Sequence, residues 1–167
     1  MSRSPDLSEW FEAFAAPHAI WYAKRLSGSD TWANGSRRDA AYFLASDFFQ
    51  LFPELKSGSV LEKPIAVTID YASHPPGRTT PITCGCQLVR RGRRHGPEVQ
   101  ITGLGKKNSP LLDPENTGAL AVFAVSRDRQ DASDCCSVWV CRTPIEEYLM
   151  EWWVGPIDPG RAIVKCF

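Results

Sequence analysis

Ile65-Ala66-Val67-Thr68-Ile69-Asp70-Tyr71 sets Ile65, Val67, Ile69 and Tyr71 against Ala66, Thr68 and Asp70. A two-residue period sends alternate side chains to opposite faces of an extended chain, so this stretch predicts a half-buried β-strand. His74-Pro75-Pro76-Gly77 follows as a turn. Further along, Thr83–Val89 and Glu98–Thr102 read as strands on either side of Arg90-Arg91-Gly92-Arg93-Arg94-His95. Two more strands are expected over Ala119–Ser126 and Ser137–Arg142. Toward the amino end, Ala40-Ala41-Tyr42-Phe43-Leu44 and Ala19–Ser27 have the same character. Between them Gly, Ser, Asp, Thr and Asn accumulate from Gly28 to Ser36, which is loop chemistry.

Helical signals frame this strand-rich centre. Ser4 can cap a first helix with Pro5 at its first position, and Leu7, Trp10, Phe11 and Phe14 fall on one face before Pro17 stops it. Ser46 starts a short helix with Phe48, Phe49 and Phe52 inward, ended by Pro53. Thr143-Pro144-Ile145-Glu146 combines a capping box with proline just inside it. Ile145, Leu149, Trp152 and Trp153 are the apolar stripe expected to face the core there. About seven short strands and three short helices imply a mainly β, α+β domain whose mixed, mostly antiparallel sheet closes into a barrel or half-barrel.

The chain has 167 residues and 43% apolar content, enough for one globular domain with a full core. Its formal net charge is zero, yet the signs are segregated. Lys24, Arg25, Arg37, Arg38, Arg90, Arg91, Arg93, Arg94, Lys106 and Lys107 lie in the first two thirds. Asp113, Glu115, Asp128, Asp131, Asp134, Glu146, Glu147, Glu151 and Asp158 dominate the rest. Such a split predicts a basic side and an acidic side. No apolar run approaches the roughly 18 residues of a membrane span, and no signal-peptide core is present, so a cytoplasmic protein is expected. The six cysteines are then reduced; Cys84-Gly85-Cys86 and Cys135-Cys136 with Cys141 lack zinc-site spacing and read as strand thiols, without metal.

No glycine-rich phosphate cradle, nucleophile elbow or zinc-helix motif occurs. Glu54-Leu55-Lys56 has the spelling of a magnesium-nuclease strand end, but it follows Pro53 and no strand-borne aspartate pairs with it. Binding is expected in place of cutting. One binding stretch runs from Tyr22 to Tyr42 with Lys24, Arg25, Arg37 and Arg38 around a polar loop. The other runs from Arg90 to Lys107 and adds His95, Glu98 and Gln100. Arginine forks suit guanine, a carboxylate accepts from the cytosine amino group, and glutamine pairs with adenine in the major groove. The plain alternatives are a solvated hairpin tip for the arginine run and a salt bridge from Glu98 to Arg94 or a lysine. Trp32 and Asn34 sit at the tip of the first loop, where the tryptophan either meets sugar and base or folds back on its own domain.

At these residues the chain resembles the amino-terminal effector domain of the EcoRII restriction endonuclease family. The resemblance is carried by Tyr22-Ala23-Lys24-Arg25-Leu26-Ser27 with Asp30-Thr31, and by the spacing through Gly35 and Tyr42 to Leu51-Phe52-Pro53. Ser109 to Leu120, Val138-Trp139-Val140-Cys141 and Glu146-Glu147 continue it, so that it covers most of residues 22–160. It implies a seven-stranded DNA-binding pseudobarrel with short flanking helices, whose two arms enter the major groove of CCWGG, W being A or T. One arm would be Lys24 to Tyr42, with Arg37 and Tyr42 at contacting positions. The other would be Arg90 to Lys107, with Arg94, Glu98 and Gln100. Arg37 stands where the family has a histidine, Gly96 and Gln100 where it has arginines, and Val99 where it has a lysine. Arg90, Arg91 and Arg93 are candidate replacements for the lost contacts.

The resemblance further implies an allosteric module of a type IIE restriction endonuclease, monomeric on its own and excised from a longer chain. Such a module needs no cofactor; magnesium belongs to the absent catalytic domain, which is its second partner besides double-stranded DNA. Lys24, Arg25, Lys106 and Lys107 are expected on phosphates. Two rivals stand beside this expectation: a self-contained magnesium-dependent nuclease, and a barrel whose basic loops meet an acidic protein. Asp113 to Ala119 forms a turn entering a strand, and its Asp and Asn are expected to bond local backbone.

Overall fold

The computed structural model describes residues 6–15, 19–35, 37, 40–44, 65–74, 82–89, 98–105, 108–126, 135–158 and 162–166. Its strands are β1 (Ala19–Arg25), β2 (Ala40–Leu44), β3 (Ile65–Tyr71), β4 (Ile82–Val89), β5 (Glu98–Thr102), β6 (Leu120–Ser126), β7 (Cys135–Val140) and β8 (Ala162–Cys166). Helices α1 (Leu7–Phe14) and α2 (Pro144–Val154) flank them. The helix expected from Ser46 lies outside the described residues. All eight strands join one sheet in the order β2-β5-β4-β3-β7-β6-β1-β8. Pairing is antiparallel throughout except between β3 and β7, so the sheet is mixed and mostly antiparallel, as the alternation implied.

Two parts of the expected architecture are corrected. Among the described residues the sheet has eight strands, because Ala162–Cys166 pairs with the outer side of β1. It is also open: among the described pairings β2 and β8 are edges, and nothing joins them into a closed barrel. Short terminal strands carry little periodicity of their own, and their pairing is decided by the edge they meet.

The core lies around β1, β6 and β7. Leu120 to Val125 is buried at every position, as expected of a strand covered on both faces. On one face Trp21, Ala23, Val122, Ala124 and Trp139 pack with Leu7 and Trp10 of α1 and Met150 and Val154 of α2. Trp10 sits between Trp21 and Trp139, at centroid distances of 5.3 and 5.6 Å. Its indole N–H donates to Ser137 Oγ at 2.7 Å, and Trp21 donates to the Phe14 carbonyl at 3.1 Å, so both buried donors are met. On the other face the register lines up Tyr22, Phe123, Val138 and Tyr71 across four strands, all buried.

The helices differ from expectation in their caps and faces. α1 is capped by Asp6, whose carboxylate accepts from Glu9 N while Glu9 accepts from Asp6 N. Its apolar face is the expected one, with Leu7 and Trp10 buried and Phe11 and Phe14 packed beside them. In α2 Thr143 caps as expected, accepting from Glu146 N, but the Glu146 side chain accepts from Arg142 N and not from Thr143. The expected stripe is turned outward: Ile145 and Trp152 are 72% and 73% exposed and Leu149 is at the surface, while Met150 and Val154 face the core. Only Trp153 of that stripe packs inward. Among the described residues no helix is long and apolar enough to cross a membrane.

Candidate nucleic-acid interface

The two basic stretches meet on adjacent strands. β2 closes the first and β5 opens within the second, and they pair so that Tyr42 lies opposite Gln100 and Leu44 opposite Glu98. On its other side β5 sets Gln100 opposite Gln87 and Glu98 opposite Val89. Three expected DNA-contacting positions, Tyr42, Glu98 and Gln100, therefore share one short ladder. The chain leaves β4 at Val89 and re-enters at its pairing partner Glu98, so the arginine run is bounded by that end of the ladder. Arg37 precedes β2, which begins opposite Thr102 at the other end. Five paired residues make the ladder about 14 Å long. Arg38, Arg90, Arg91, Arg93, Arg94, His95, Lys106 and Lys107 lie outside the described residues.

The loop after β1 is built around a buried carboxylate. Asp30 accepts from Ser27 N and Ser27 Oγ, both at 2.7 Å, and pairs with Lys24 Nζ at 2.8 Å. The lysine expected on phosphate is thus held by its own loop. Thr31 then caps a 3-10 turn over Trp32–Asn34, which Gly35 ends at φ 80°. That left-handed conformation is where glycine carries no Cβ penalty. Trp32 is half-buried, and the exposed Arg37 places its guanidinium carbon 5.8 Å from the indole centroid, within cation–π reach. Asn34, at the end of the same turn, is exposed.

A second loop, residues 103–119, supports the first. Tyr71 donates its hydroxyl to the Leu104 carbonyl at 3.1 Å and meets Ser109 Oγ at 3.0 Å, which fixes the loop on the core. Asp113 accepts from Glu115 N, and Asn116 donates to the Pro110 carbonyl, so both side chains bond local backbone as the turn chemistry implied. Across the two loops, Trp32 N donates to the Leu112 carbonyl at 2.9 Å and Thr31 Oγ1 bonds Thr117 Oγ1 at 2.7 Å. Sequence inspection did not single out Asp30 as the hub; the Ser27-x-x-Asp30 spacing, suited to a side chain bonding backbone three residues away, was the available signal.

Arg25, at the end of β1, faces the opposite way. Its guanidinium donates to Glu147 at 2.9 Å and Glu151 at 2.8 Å on α2, and to the Gly118 and Ile157 carbonyls. Burial by itself would lower its pKa, but hydrogen bonds and attraction to Glu147 and then Glu151 outweigh that and hold it above its usual value.

Among the described residues no three His, Cys, Asp or Glu side chains converge on a possible metal position. Glu54-Leu55-Lys56 lies outside them. Cys136 and Cys141 are buried. Burial, reinforced by Glu146 and Glu147, pushes the Cys141 thiol far above the ordinary thiol range, so it stays protonated and unreactive.

One open, mixed sheet flanked by two helices, with the loop after β1 stitched to residues 112 and 117, defines a mainly β, α+β domain. The family model described as restriction endonuclease EcoRII, N-terminal, matches residues 15–166, and the chain belongs to that family. It is 28% identical over 159 residues to the type II restriction enzyme EcoRII of Escherichia coli, a match covering 92% of this chain and 38% of the relative. The chain therefore spans well under half the length of that enzyme.

Proposed function

We propose that this chain is the effector domain of a type II restriction endonuclease, binding duplex DNA sequence-specifically through the major groove. The observation that carries this is the β2–β5 ladder, which brings Tyr42, Glu98 and Gln100 together from two basic stretches distant in sequence. Its length of about 14 Å is close to the roughly 12 Å width of the major groove. In this reading Arg37 and Arg38 flank one end of the ladder and Arg90, Arg91, Arg93, Arg94 and His95 the other. Glu98 accepts from a cytosine amino group, Gln100 and Arg94 read purines, and Trp32, Asn34, Lys106 and Lys107 line the backbone. CCWGG is the proposed target, and the sheet, open at β2 and β8, is the body from which the arms extend.

Binding at this domain biases a linked catalytic domain toward its competent state, by the difference in affinity between the two states. The magnesium belongs to that catalytic domain. Such a partner places the protein in the cytoplasm, as a monomer when isolated. The test is binding of the chain to CCWGG and scrambled duplexes across a salt series. With roughly six phosphate contacts, affinity falls about a thousandfold between ~50 and ~200 mM salt. Flat salt dependence, or equal binding of both duplexes, refutes the proposal. Incubation with plasmid and magnesium addresses the nuclease alternative: a nick or cut by the chain alone would favour it.

A further inference from the structure

Arg25 is the last residue of β1, immediately before the first arm, and its side chain is only 19% exposed. Nε donates to the Ile157 carbonyl at 3.0 Å, Nη1 to the Gly118 carbonyl at 3.1 Å and Glu147 at 2.9 Å, and Nη2 to Glu151 at 2.8 Å. Four of the five N–H donors of a guanidinium are matched by these four acceptors. One cation also faces two carboxylates, so the cluster carries a formal charge of minus one and repels a phosphate. Gly118, whose carbonyl takes one of these bonds, donates its own N–H to the Leu26 carbonyl at 2.7 Å, and Leu26 N donates to the Ala119 carbonyl. Glu147 additionally accepts from Leu120 N at 3.4 Å. The cluster thus joins α2 to both chains of the ladder end from which the arm departs.

We propose that Arg25 is a positioning residue for DNA discrimination: clamped between α2 and the β1–β6 ladder end, it fixes the first arm's direction without touching DNA. This rests on the duplex-binding reading above. Because Glu147 and Glu151 are the other half of the clamp, they share the role despite their charge. Removing two negative charges raises the formal net charge from zero to plus two, which favours DNA in general. A clamp predicts the reverse for the cognate site.

The experiment compares Arg25→Met, Arg25→Lys and the double variant Glu147→Gln/Glu151→Gln with the unmodified chain. Affinity for CCWGG and scrambled duplexes is measured over a salt series, with folding checked by circular dichroism. Each variant is expected to lose about tenfold in the ratio of cognate to scrambled affinity, with its salt slope unchanged. Lysine does not rescue, because an ammonium cannot make the same planar fan of bonds. A salt slope lowered by about 0.9 in Arg25→Met, as for one lost phosphate contact, together with rescue by lysine, overturns the inference. So does an unchanged ratio in the glutamine double variant, which keeps the side-chain shapes and serves if Arg25→Met does not fold. An unmodified chain that binds both duplexes alike overturns the duplex-binding reading and this inference together. A discriminating parent with equally discriminating variants overturns the inference alone.

Discussion

Replacing Asp30 should unseat the first loop, and the cost can be worked from its contacts. Asp30 is 4% exposed and its carboxylate takes three bonds, two from Ser27 and one from Lys24. Asp30→Ala strips all of them, taking the carboxylate away from a backbone N–H, a hydroxyl and a partly buried ammonium. Breaking a buried pair costs roughly 3–5 kcal/mol when one partner is removed. Lys24 keeps some access to water, with a side chain 15% exposed, which places the expected loss near the lower bound, about 3 kcal/mol. For a domain of this size that lowers Tm by about 6–12 °C.

Asp30→Asn provides the sharper contrast. If its oxygen faces the two Ser27 donors, its NH2 group meets Lys24, donor against donor. A loss of about 2 kcal/mol is expected, part of which returns when Lys24→Met is added. Urea unfolding followed by tryptophan fluorescence measures each variant and the coupling between them. An Asp30→Ala loss below about 0.5 kcal/mol, the range of an ordinary surface change, would refute the hub.

Glu98→Ala should relax base preference by about 1–3 kcal/mol, read as the cognate-to-scrambled ratio; an unchanged ratio removes Glu98 from the readers. Gly35→Ala meets open space but keeps φ at 80°, so strain alone sets its cost at about 1 kcal/mol, measurable by urea unfolding. Cys141 governs alkaline behaviour. Its folded pKa is raised above the ordinary 9.0, so its contribution is complete below pH 9. Above that pH the unfolded thiol ionises while the folded one keeps its proton, and stability falls by about 1.4 kcal/mol per pH unit. Cys141→Ala should flatten the stability curve by that slope between about pH 9 and 10.

Strand positions were the most legible part of the sequence. β3 and β5 occupy segments where apolar and polar residues alternate, and β2 occupies the short apolar run Ala40–Leu44 that read as strand-like. The orientation of α2 was not legible. Helical spacing offers two stripes on it, Ile145, Tyr148, Leu149 and Trp152 on one side, Glu147, Met150, Glu151 and Val154 on the other. Hydropathy favours the first, yet the second faces the protein, since Arg25 meets its two glutamates and Met150 fills the core. Helical period finds a stripe, but only the neighbouring element decides which stripe is covered.

The same contacts change the meaning of the charge pattern. Separation of basic and acidic residues along the chain suggested opposite sides of the molecule, but α2 brings glutamates from the last third onto Arg25. Asp30 does the same for Lys24 from within the loop. Both cations at the end of β1 are therefore paired with carboxylates of the domain itself. Arg37, by contrast, is exposed, with its guanidinium over the Trp32 ring. In the proposed duplex-binding reading this contact is favourable, because an indole steadies the guanidinium and leaves its charge intact for approach to a polyanion. A zero total charge is thus compatible with a DNA-binding face when the acids serve as internal partners for the cations that hold the scaffold.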